Sequence, residues 1–208
     1  MPLTTAFIIL ASKSPRRREL LAKAGYRFVV HPPDDGAESG FDEVLPTDRL
    51  VRELAYRKAA AVVDRVNSGQ IDPHGPAGSK QIVLGCDTVA ECEGRILGKP
   101  VDRDDARRML TILSSRRHRV ISGLCLWPVD SEEPPIVDVA ETTLRMDKLT
   151  EEQLEDYLDS GGWQSKAGAF GYQDRTGWVH VVEGSPSNVV GLPMELLDTM
   201  LAQLGCKS

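Results

Sequence analysis

The stretch from Ile8 to Gly25 constrains the fold more than any other part of the chain, because an apolar run there leads directly into a helix start. The run IIL that begins at Ile8 is typical of a buried strand. Ser14 is a favoured helix N-cap, and Pro15 suits the first helical position, where a missing amide hydrogen costs little. The sequence therefore predicts a buried strand that feeds a helix, which Gly25 can end.

Three arginines, Arg16, Arg17 and Arg18, occupy the first turn of that predicted helix. Cations are unfavourable at a helix N-terminus, because that end already carries partial positive charge. The placement becomes favourable when an anion binds there, since backbone amides, the helix dipole and guanidinium groups would converge on it. Ser12 and Ser14 add hydroxyl groups to the same turn. The alternative interpretation is an exposed basic turn that holds no ligand.

Helices and strands intermix along the rest of the chain. Strands are predicted at RFVVH (27–31), QIVLGCDTVAE (81–91), HRVISGLCLWPV (118–129), IVDVAETTLRM (136–146) and WVHVVEGSP (178–186). Helices are predicted from Thr47 or Asp48 to Val66, from about Asp102 to Leu113, from Thr150 onward, and from near Leu192 or Pro193 onward. A hairpin is expected at Glu93-Gly94, and the Gly/Pro-rich segment 67–80 is expected to be a surface loop. This order predicts one α/β domain over residues 1–208, with a mixed sheet and a cleft.

Composition limits the partners and the compartment. A net charge of −6 argues against an extended basic face for nucleic acid, although it leaves room for a small anionic ligand in a local cationic pocket. The run FIIL is far too short for a signal peptide or a membrane span, so no membrane association is expected. The four cysteines show no CxxC spacing, which favours a cytoplasmic protein with buried or free thiols.

Asp87 is the best single candidate for chemistry. It stands inside the apolar strand IVLGCDTV, where a buried carboxylate costs several kcal/mol unless it is paired or binds a metal. Lys58, on the apolar face of the helix that starts near Thr47, and Lys99, in the turn GKP, are candidate cations. The alternatives are that Asp87 is a structural partner of a lysine and that Lys58 extends along the edge of a buried stripe.

One carboxylate facing several cations has the charge balance that a triphosphate needs. Mg²⁺ takes few protein ligands and fills its other positions with waters and phosphate oxygens, and Glu38 and Asp87 could supply those few. No Walker GxxxxGK[ST] sequence is present, and GSPSN at 184–188 does not match the GxSxG sequence of serine hydrolases. The histidines form no ligand pair at helical spacing.

Five motifs follow one another along the chain: SKSPRRRELL (12–21), LAYRKAAAV (54–62), GCDTVAECEGRILGKP (85–100), KAGAFGYQD (166–174) and SNVVGLP (187–193). In this order they resemble the Maf family of nucleoside triphosphate pyrophosphatases. The resemblance implies hydrolysis of a nucleoside triphosphate to its monophosphate and pyrophosphate with a divalent metal, Mg²⁺ or Mn²⁺. It implies an α/β fold with a mixed twisted sheet, flanking helices and two lobes around a central cleft, similar to inosine triphosphate pyrophosphatases. Family members often form dimers, so a homodimer is one state to expect.

The resemblance also assigns roles to residues. It implies Asp87 as the general base or proton acceptor, Lys58 and Lys99 as phosphate-facing lysines, and Ser12, Arg16 and Arg17 as the phosphate-cradling turn. It implies Gln173 as the glutamine of the loop that usually reads AGAYGIQG. Glu38 is implied as the acidic metal partner of Asp87. Because PPDDGAES departs from the usual PDxDE, the choice among Asp34, Asp35 and Glu38 stays open.

Some positions depart from the family pattern. Phe170 replaces the usual tyrosine, Asp174 the usual last glycine, and Ser115 and Ser122 stand where glycine and threonine are more usual. The motifs DTV, KAGAFGYQ and SNVVGLP resemble the branch that acts on dTTP and UTP. Gln173 can then pair with the O4/N3–H edge of thymine or uracil. Trp163 and Phe170 either stack on the base or pack in the core. The open alternatives are the same chemistry on 7-methyl-GTP or another modified nucleotide, and a non-catalytic regulator of cell division that binds a protein or nucleic acid.

Overall fold

The computed structural model of the chain describes residues 4–34, 36, 45–72, 75–129, 131–174 and 176–207. Within these ranges the strands are β1 (Thr4–Ala11), β2 (Arg27–Val30), β3 (Lys80–Cys92), β4 (Arg95–Leu97), β5 (Arg117–Pro128), β6 (Ile136–Met146), β7 (Val179–Glu183) and β8 (Cys206–Lys207). The helices are α1 (Pro15–Lys23), α2 (Thr47–Asn67), α3 (Arg103–Leu113), α4 (Glu151–Asp159), α5 (Pro186–Val190) and α6 (Met194–Gln203). The predicted helices and strands are present, but the strand predicted over 178–186 ends at Glu183 and Pro186 begins α5. Neither α5 nor β8 was predicted.

The helix start after β1 forms as the sequence predicts. Ser14 is the N-cap of α1 with extended backbone angles, and its side chain accepts a hydrogen bond from the Arg17 amide. Gly25 follows the helix with φ +79°, a left-handed conformation that favours glycine. A short polar turn therefore separates β1 from α1, and backbone amides at the start of α1 lie close to the end of the strand.

The sheet is mixed. Its strand order is β2-β1-β3-β5-β6-β7, with β4 beside β3 and β8 beside β1. β1 runs parallel to β2 and β3, whereas β3–β4 and β6–β7 are antiparallel pairs. Glu93 and Gly94, with φ 51° and 74°, form the predicted hairpin turn between β3 and β4.

The chain divides into two compact units. The first comprises Met1–Asp87, Ser122–Val139 and Gly191–Ser208. Its β1 is buried on both faces: Ile8 belongs to a cluster with α6, and Ile9 belongs to a cluster with α2. A strand covered on both faces reads as a continuous apolar run, which explains why the sequence around Ile8 shows no alternation.

The second unit comprises Thr88–Ile121 and Ala140–Val190. Its core joins α3 and α4 to the strands through residues such as Leu110, Leu144 and Leu158. Ser115 has φ 65°, a left-handed angle that costs a non-glycine residue about 1 kcal/mol. This cost gives a physical reason for the glycine that the family resemblance implies at this position.

The thiol prediction is confirmed, because Cys86, Cys92, Cys125 and Cys206 are all buried and free. None of the helices in the described ranges has both the length and the apolar character needed to cross a bilayer.

Candidate active site

Two candidate segments meet at one edge of the first unit's sheet. In the parallel pairing of β1 with β3, Ala11 lies opposite Gly85. Ser12 follows Ala11, where β1 ends, and Asp87 lies within β3 two residues beyond Gly85, so both lie at the carboxyl end of β1. Ligands of open α/β sheets bind at such edges, because loops and helix N-termini collect there.

The turn after β1 is held by its own hydroxyl group. Ser12 is buried, and its Oγ accepts hydrogen bonds from Arg17 Nη1 at 2.9 Å and from the Ser14 amide at 3.2 Å. A hydroxyl group has two acceptor positions and one donor, so these bonds fill the acceptor positions. The hydroxyl proton of Ser12 is left to donate, which suits an anionic partner.

Arg17 connects this turn to a distant part of the chain. The residue is buried, and its Nε donates to the carbonyl oxygen of Gly191 at 2.8 Å. The Cys86 thiol contacts the same carbonyl oxygen at 3.4 Å. Arg17 therefore acts first as an anchor that fixes the turn beside the strand of Asp87. Its predicted contact with a phosphate stays a prediction, as does that of Arg16, which is half-buried in the same helical turn.

Helix α2 brings Lys58 to Asp87 because a glycine in β3 allows very close approach. A Cβ atom on Gly85 would lie 2.1 Å from the Ala55 carbonyl oxygen and 2.9 Å from the Ala59 amide nitrogen. Only glycine fits under the backbone of α2 at this point. Lys58 precedes Ala59 on the helix, and its Nζ reaches Asp87 Oδ1 at 2.5 Å.

The Lys58–Asp87 ion pair is shielded from water, since the two side chains are only 5% and 15% exposed. Such a pair is expensive to desolvate, and losing either partner leaves an uncompensated charge. The part of the chain that the structure describes offers the Asp87 carboxylate no other hydrogen-bond partner. One carboxylate oxygen is thus held by Lys58, while the other can accept a proton or meet a cation.

The acidic partner predicted after β2 is only partly described. Asp35 and Glu38 lie outside the described residues. Asp34 has an 86% exposed side chain and lies 4.0 Å from Arg65. Nearby, burial and the Arg65 cation lower the pKa of His31, whose amide donates to the Leu10 carbonyl oxygen. Among the described residues, no three His, Cys, Asp or Glu side chains form a metal-binding group.

Lys99 and Gln173 belong to the second unit. The Gly168 amide donates to the Gly98 carbonyl oxygen at 3.0 Å, so the GKP turn that carries Lys99 lies against the KAGAFGYQD loop. Both Lys99 and Gln173 are exposed. Gln173 stands in a single turn of 3₁₀ helix, Tyr172–Asp174.

Three side chains of that loop region were not among the predicted site residues. Lys166 Nζ lies 2.5 Å from Asp174 Oδ2, and the Tyr157 hydroxyl donates to the same oxygen at 2.7 Å. The one signal in the sequence was Asp174, which the family resemblance marks as a departure from glycine. Charged residues in a polar loop otherwise predict only a solvated surface.

Comparison with known proteins identifies the family of this chain. A family model described as Maf-like protein matches residues 7–204, nearly the whole chain. The chain belongs to the Maf family. The resemblance carried by the five motifs is therefore confirmed.

Relatives of this Maf protein carry a specific name. A protein of Rhodopirellula baltica named dTTP/UTP pyrophosphatase is 50% identical over 195 residues, which cover 93% of this chain and 80% of that protein. A protein of Symbiobacterium thermophilum with the same name is 40% identical over 199 residues, which cover 95% of this chain and 94% of that protein. Among solved structures, a HAM1 protein from Coxiella burnetii matches with a TM-score of 0.51 and 15% identity, covering 96% of this chain and all of that one. This likeness bears on the fold alone, and it confirms the predicted mixed α/β fold.

Proposed function

We propose that this Maf protein hydrolyses nucleoside triphosphates, preferentially dTTP and UTP, to the monophosphate and pyrophosphate. The observation that carries the proposal is the shielded Lys58–Asp87 pair beside the Ser12–Arg17 turn, in a chain half identical to a protein named dTTP/UTP pyrophosphatase. A triphosphate needs both features, because it requires cations for its charge and a base for the attacking water.

The turn after β1 is the proposed phosphate site. The Ser12 hydroxyl proton, the first-turn amides of α1 and the Arg16 guanidinium would donate to phosphate oxygens. Arg17 is proposed to fix their positions through its bonds to Ser12 and Gly191. Lys99, on the exposed GKP turn of the second unit, is proposed as a further phosphate-facing cation.

Asp87 is the proposed general base. A water molecule attacks the α-phosphorus, forming a new P–O bond while the bridging Pα–O–Pβ bond breaks. The water proton passes to the Asp87 carboxylate oxygen that Lys58 does not hold, and pyrophosphate leaves with the bridging oxygen. Lys58 keeps the carboxylate oriented and offsets its charge before the proton arrives.

A divalent cation fits the available donors. An ionised carboxylate has about four lone-pair sites, so the Asp87 oxygen that Lys58 does not hold could bind Mg²⁺ or Mn²⁺ and still face the attacking water. Mg²⁺ sites beside phosphates commonly use only one or two carboxylates. Glu38 remains the proposed second acid. When bound, such an ion would offset phosphate charge and polarise the reacting phosphoryl group.

Base preference is proposed to depend on Gln173. Its side chain is exposed and, within the described ranges, forms no hydrogen bond, so its amide group can offer both a donor and an acceptor to a pyrimidine edge. No observation favours 7-methyl-GTP or a purely regulatory role over dTTP and UTP. On the family resemblance we also propose a cytoplasmic homodimer, whose mass in solution can be measured by sedimentation.

Pyrophosphate release from a panel of nucleotides, including dTTP, UTP, CTP, GTP and 7-methyl-GTP, tests the function. With Mg²⁺ or Mn²⁺ the wild-type chain should favour dTTP and UTP, and Asp87→Asn should lower kcat by about 10³-fold or more, since the proton acceptor is lost. Asp138→Asn is the matched control, because Asp138 pairs with Arg52 in the same unit but is half-exposed. Release that survives Asp87→Asn would remove Asp87 as the base, and no release from any nucleotide would overturn the proposed function.

A further inference from the structure

The loop that carries Gln173 contains an ion pair that the proposed reaction does not use. Lys166 Nζ lies 2.5 Å from Asp174 Oδ2, and the two side chains are 12% and 23% exposed. The Tyr157 hydroxyl donates to the same oxygen at 2.7 Å. One carboxylate oxygen thus joins a lysine at the start of the loop to a tyrosine of α4. Asp174 as a residue remains exposed, so solvent weakens this charge-assisted bond, and the bond from Tyr157 adds a second attachment to the same oxygen.

The same cluster holds the backbone on both sides of Gln173. The Gly171 amide donates to the Tyr157 hydroxyl oxygen at 3.1 Å, and the Asp174 amide donates to the Gly171 carbonyl oxygen at 3.1 Å. A Cβ atom on Gly171 would lie 2.4 Å from Lys166 Nζ and 2.5 Å from Asp174 Oδ2. The ion pair therefore lies directly on the Gly171 backbone, and both ends of the Tyr172–Asp174 turn are fixed to it.

At its Tyr157 end, the cluster packs against the core of the second unit. The Tyr157 ring is buried and meets the Trp178 ring edge-on, with centroids 5.3 Å apart. Two such aromatic side chains are stiff, because packing restricts both rings. Asp174 is thereby tied to a rigid support through the Tyr157 hydroxyl.

The loop also contains two residues with strained backbone conformations, which their surroundings must enforce. Ser165 and Ala169 have φ 59° and 61°, in the left-handed region that non-glycine residues avoid. Each such residue costs about 1 kcal/mol or more and persists only where the surroundings enforce it. The Lys166–Asp174 pair and the bond from Gly168 to Gly98 are two constraints that enforce it here.

We infer that Asp174 is a positioning residue for nucleotide recognition: through Lys166 and Tyr157 it fixes the turn that presents Gln173. The inference rests on the proposed function, because it names what sets that function's base selectivity. A turn already ordered in the free protein loses less conformational freedom when the base binds. Because Lys166 pairs with Asp174, its charge is assigned to positioning the loop rather than to binding a phosphate.

Two substitutions with a matched control test this role. Asp174→Asn keeps the shape but removes the charge, and Lys166→Met removes the partner. Each should raise KM for dTTP and UTP about five- to tenfold while kcat changes less than about twofold, since a smaller fraction of the protein would present Gln173 correctly. Each should also reduce the preference for dTTP over CTP. Asp147→Asn, which removes a carboxylate paired with Arg145 and His180 in the same unit, should change neither value.

Backbone hydrogen exchange in the absence of nucleotide separates this inference from the proposed function. Amides of residues 166–174 should exchange at least about fivefold faster in Asp174→Asn than in the wild type, while the amides of α3 stay protected. Unchanged exchange together with unchanged kinetics would overturn the inference. A loss of kcat at constant KM would also overturn it, because Asp174 would then act on the reaction. If wild-type protein cleaves no nucleotide, the proposed function fails, and faster loop exchange in Asp174→Asn would still support the anchoring role.

Discussion

Among the described residues, each unit contains a lysine–carboxylate pair with a 2.5 Å separation, yet the two pairs are built differently. Lys58 and Asp87 stand on a helix and a strand that pack through backbone contact at Gly85. Lys166 and Asp174 lie in a loop, and a Cβ atom on Gly171 beneath them would contact the ends of their side chains. Chemistry that needs fixed geometry is better placed on regular elements, whereas recognition can use a loop held by a few bonds. Two ion pairs of equal length can therefore differ in rigidity.

The glycines beneath the two pairs give the largest expected difference. Gly85→Ala would place a Cβ 2.1 Å from a backbone oxygen of α2, so the helix must move. We expect a loss of about 4 kcal/mol or more in the free energy of unfolding, with loss of activity as Lys58 moves away from Asp87. Gly171→Ala meets the movable ends of Lys166 and Asp174 and should cost about 1 kcal/mol. Urea unfolding followed by circular dichroism measures both values, and equal losses would contradict the comparison.

Removing the lysine of each pair gives the next largest difference. Lys58→Met leaves the Asp87 carboxylate shielded and unpaired, which should cost about 3 kcal/mol near pH 7. Lys166→Met leaves Asp174 with the Tyr157 hydroxyl and greater exposure, so about 1 kcal/mol is expected. Urea unfolding at pH 7 compares the two losses in unfolding free energy. A larger loss for Lys166→Met than for Lys58→Met would indicate that the loop pair is the more rigid of the two.

Asp87 and Lys58 were both predicted as site residues, with a structural Asp87–lysine pair as the alternative interpretation, whereas Lys166 and Asp174 were not predicted, for a physical reason. Asp87 interrupts an apolar strand and Lys58 interrupts an apolar helix face, so each contradicts its local pattern and calls for a partner. Lys166 and Asp174 lie among glycines and polar residues, where charges are ordinary. The elements themselves were predictable, because periodicity and caps specify them, except α5 and β8, which are too short to show a period.

Contacts between distant segments could not be read from the sequence. The bond from Arg17 to the Gly191 carbonyl oxygen joins residues 174 positions apart, and no local pattern announces it. Gly85 and Gly123 did carry a readable signal, since glycine inside a strand indicates close approach of another backbone. Both lie against α2, with a Cβ on Gly123 placed 2.2 Å from the Val51 carbonyl oxygen. These two glycines could have indicated where α2 packs on the sheet, and therefore where Lys58 lies.

Acid should weaken the second unit more than the first through one buried histidine. Burial lowers the pKa of His118 to about 4, although a backbone group of Arg116 opposes the change in part. The unfolded chain, with an ordinary pKa near 6.5, binds the proton first, so this contribution to stability is complete above about pH 6.5 and is lost as pH falls toward 4. The loss should reach about 3 kcal/mol at pH 4, at about 1.4 kcal/mol per pKa unit.

His118→Phe isolates this effect, because the ring still packs against Phe170, whose centroid lies 5.2 Å away. The difference in unfolding free energy between wild type and variant should grow in favour of the variant from pH 6.5 to 4. His31, half-buried at the end of β2, has a pKa lowered by burial and by Arg65 and supplies the comparison in the first unit. A difference between wild type and His118→Phe that is independent of pH would show that the buried ring is not the group that titrates.

The helix caps of the two units give the smallest expected difference. In the second unit Thr150 and Gln153 form a reciprocal capping box on α4, with bonds of 3.2 and 3.0 Å. The Thr150 hydroxyl accepts from the Gln153 backbone amide, and the Gln153 side-chain oxygen accepts from the Thr150 amide. Thr150→Ala should therefore cost about 1 kcal/mol.

Ser14 caps α1 in the first unit with a bond of 3.5 Å to the Arg17 amide, at the long limit for such a bond. Ser14→Ala should cost only about 0.5 kcal/mol of unfolding free energy, toward the low end for a cap. It should nevertheless raise KM for dTTP severalfold, whereas Thr150→Ala should leave KM unchanged, because only Ser14 belongs to the proposed phosphate turn. Melting temperatures and steady-state kinetics of the two variants separate stability from binding, and a KM change confined to Thr150→Ala would move the phosphate site away from α1.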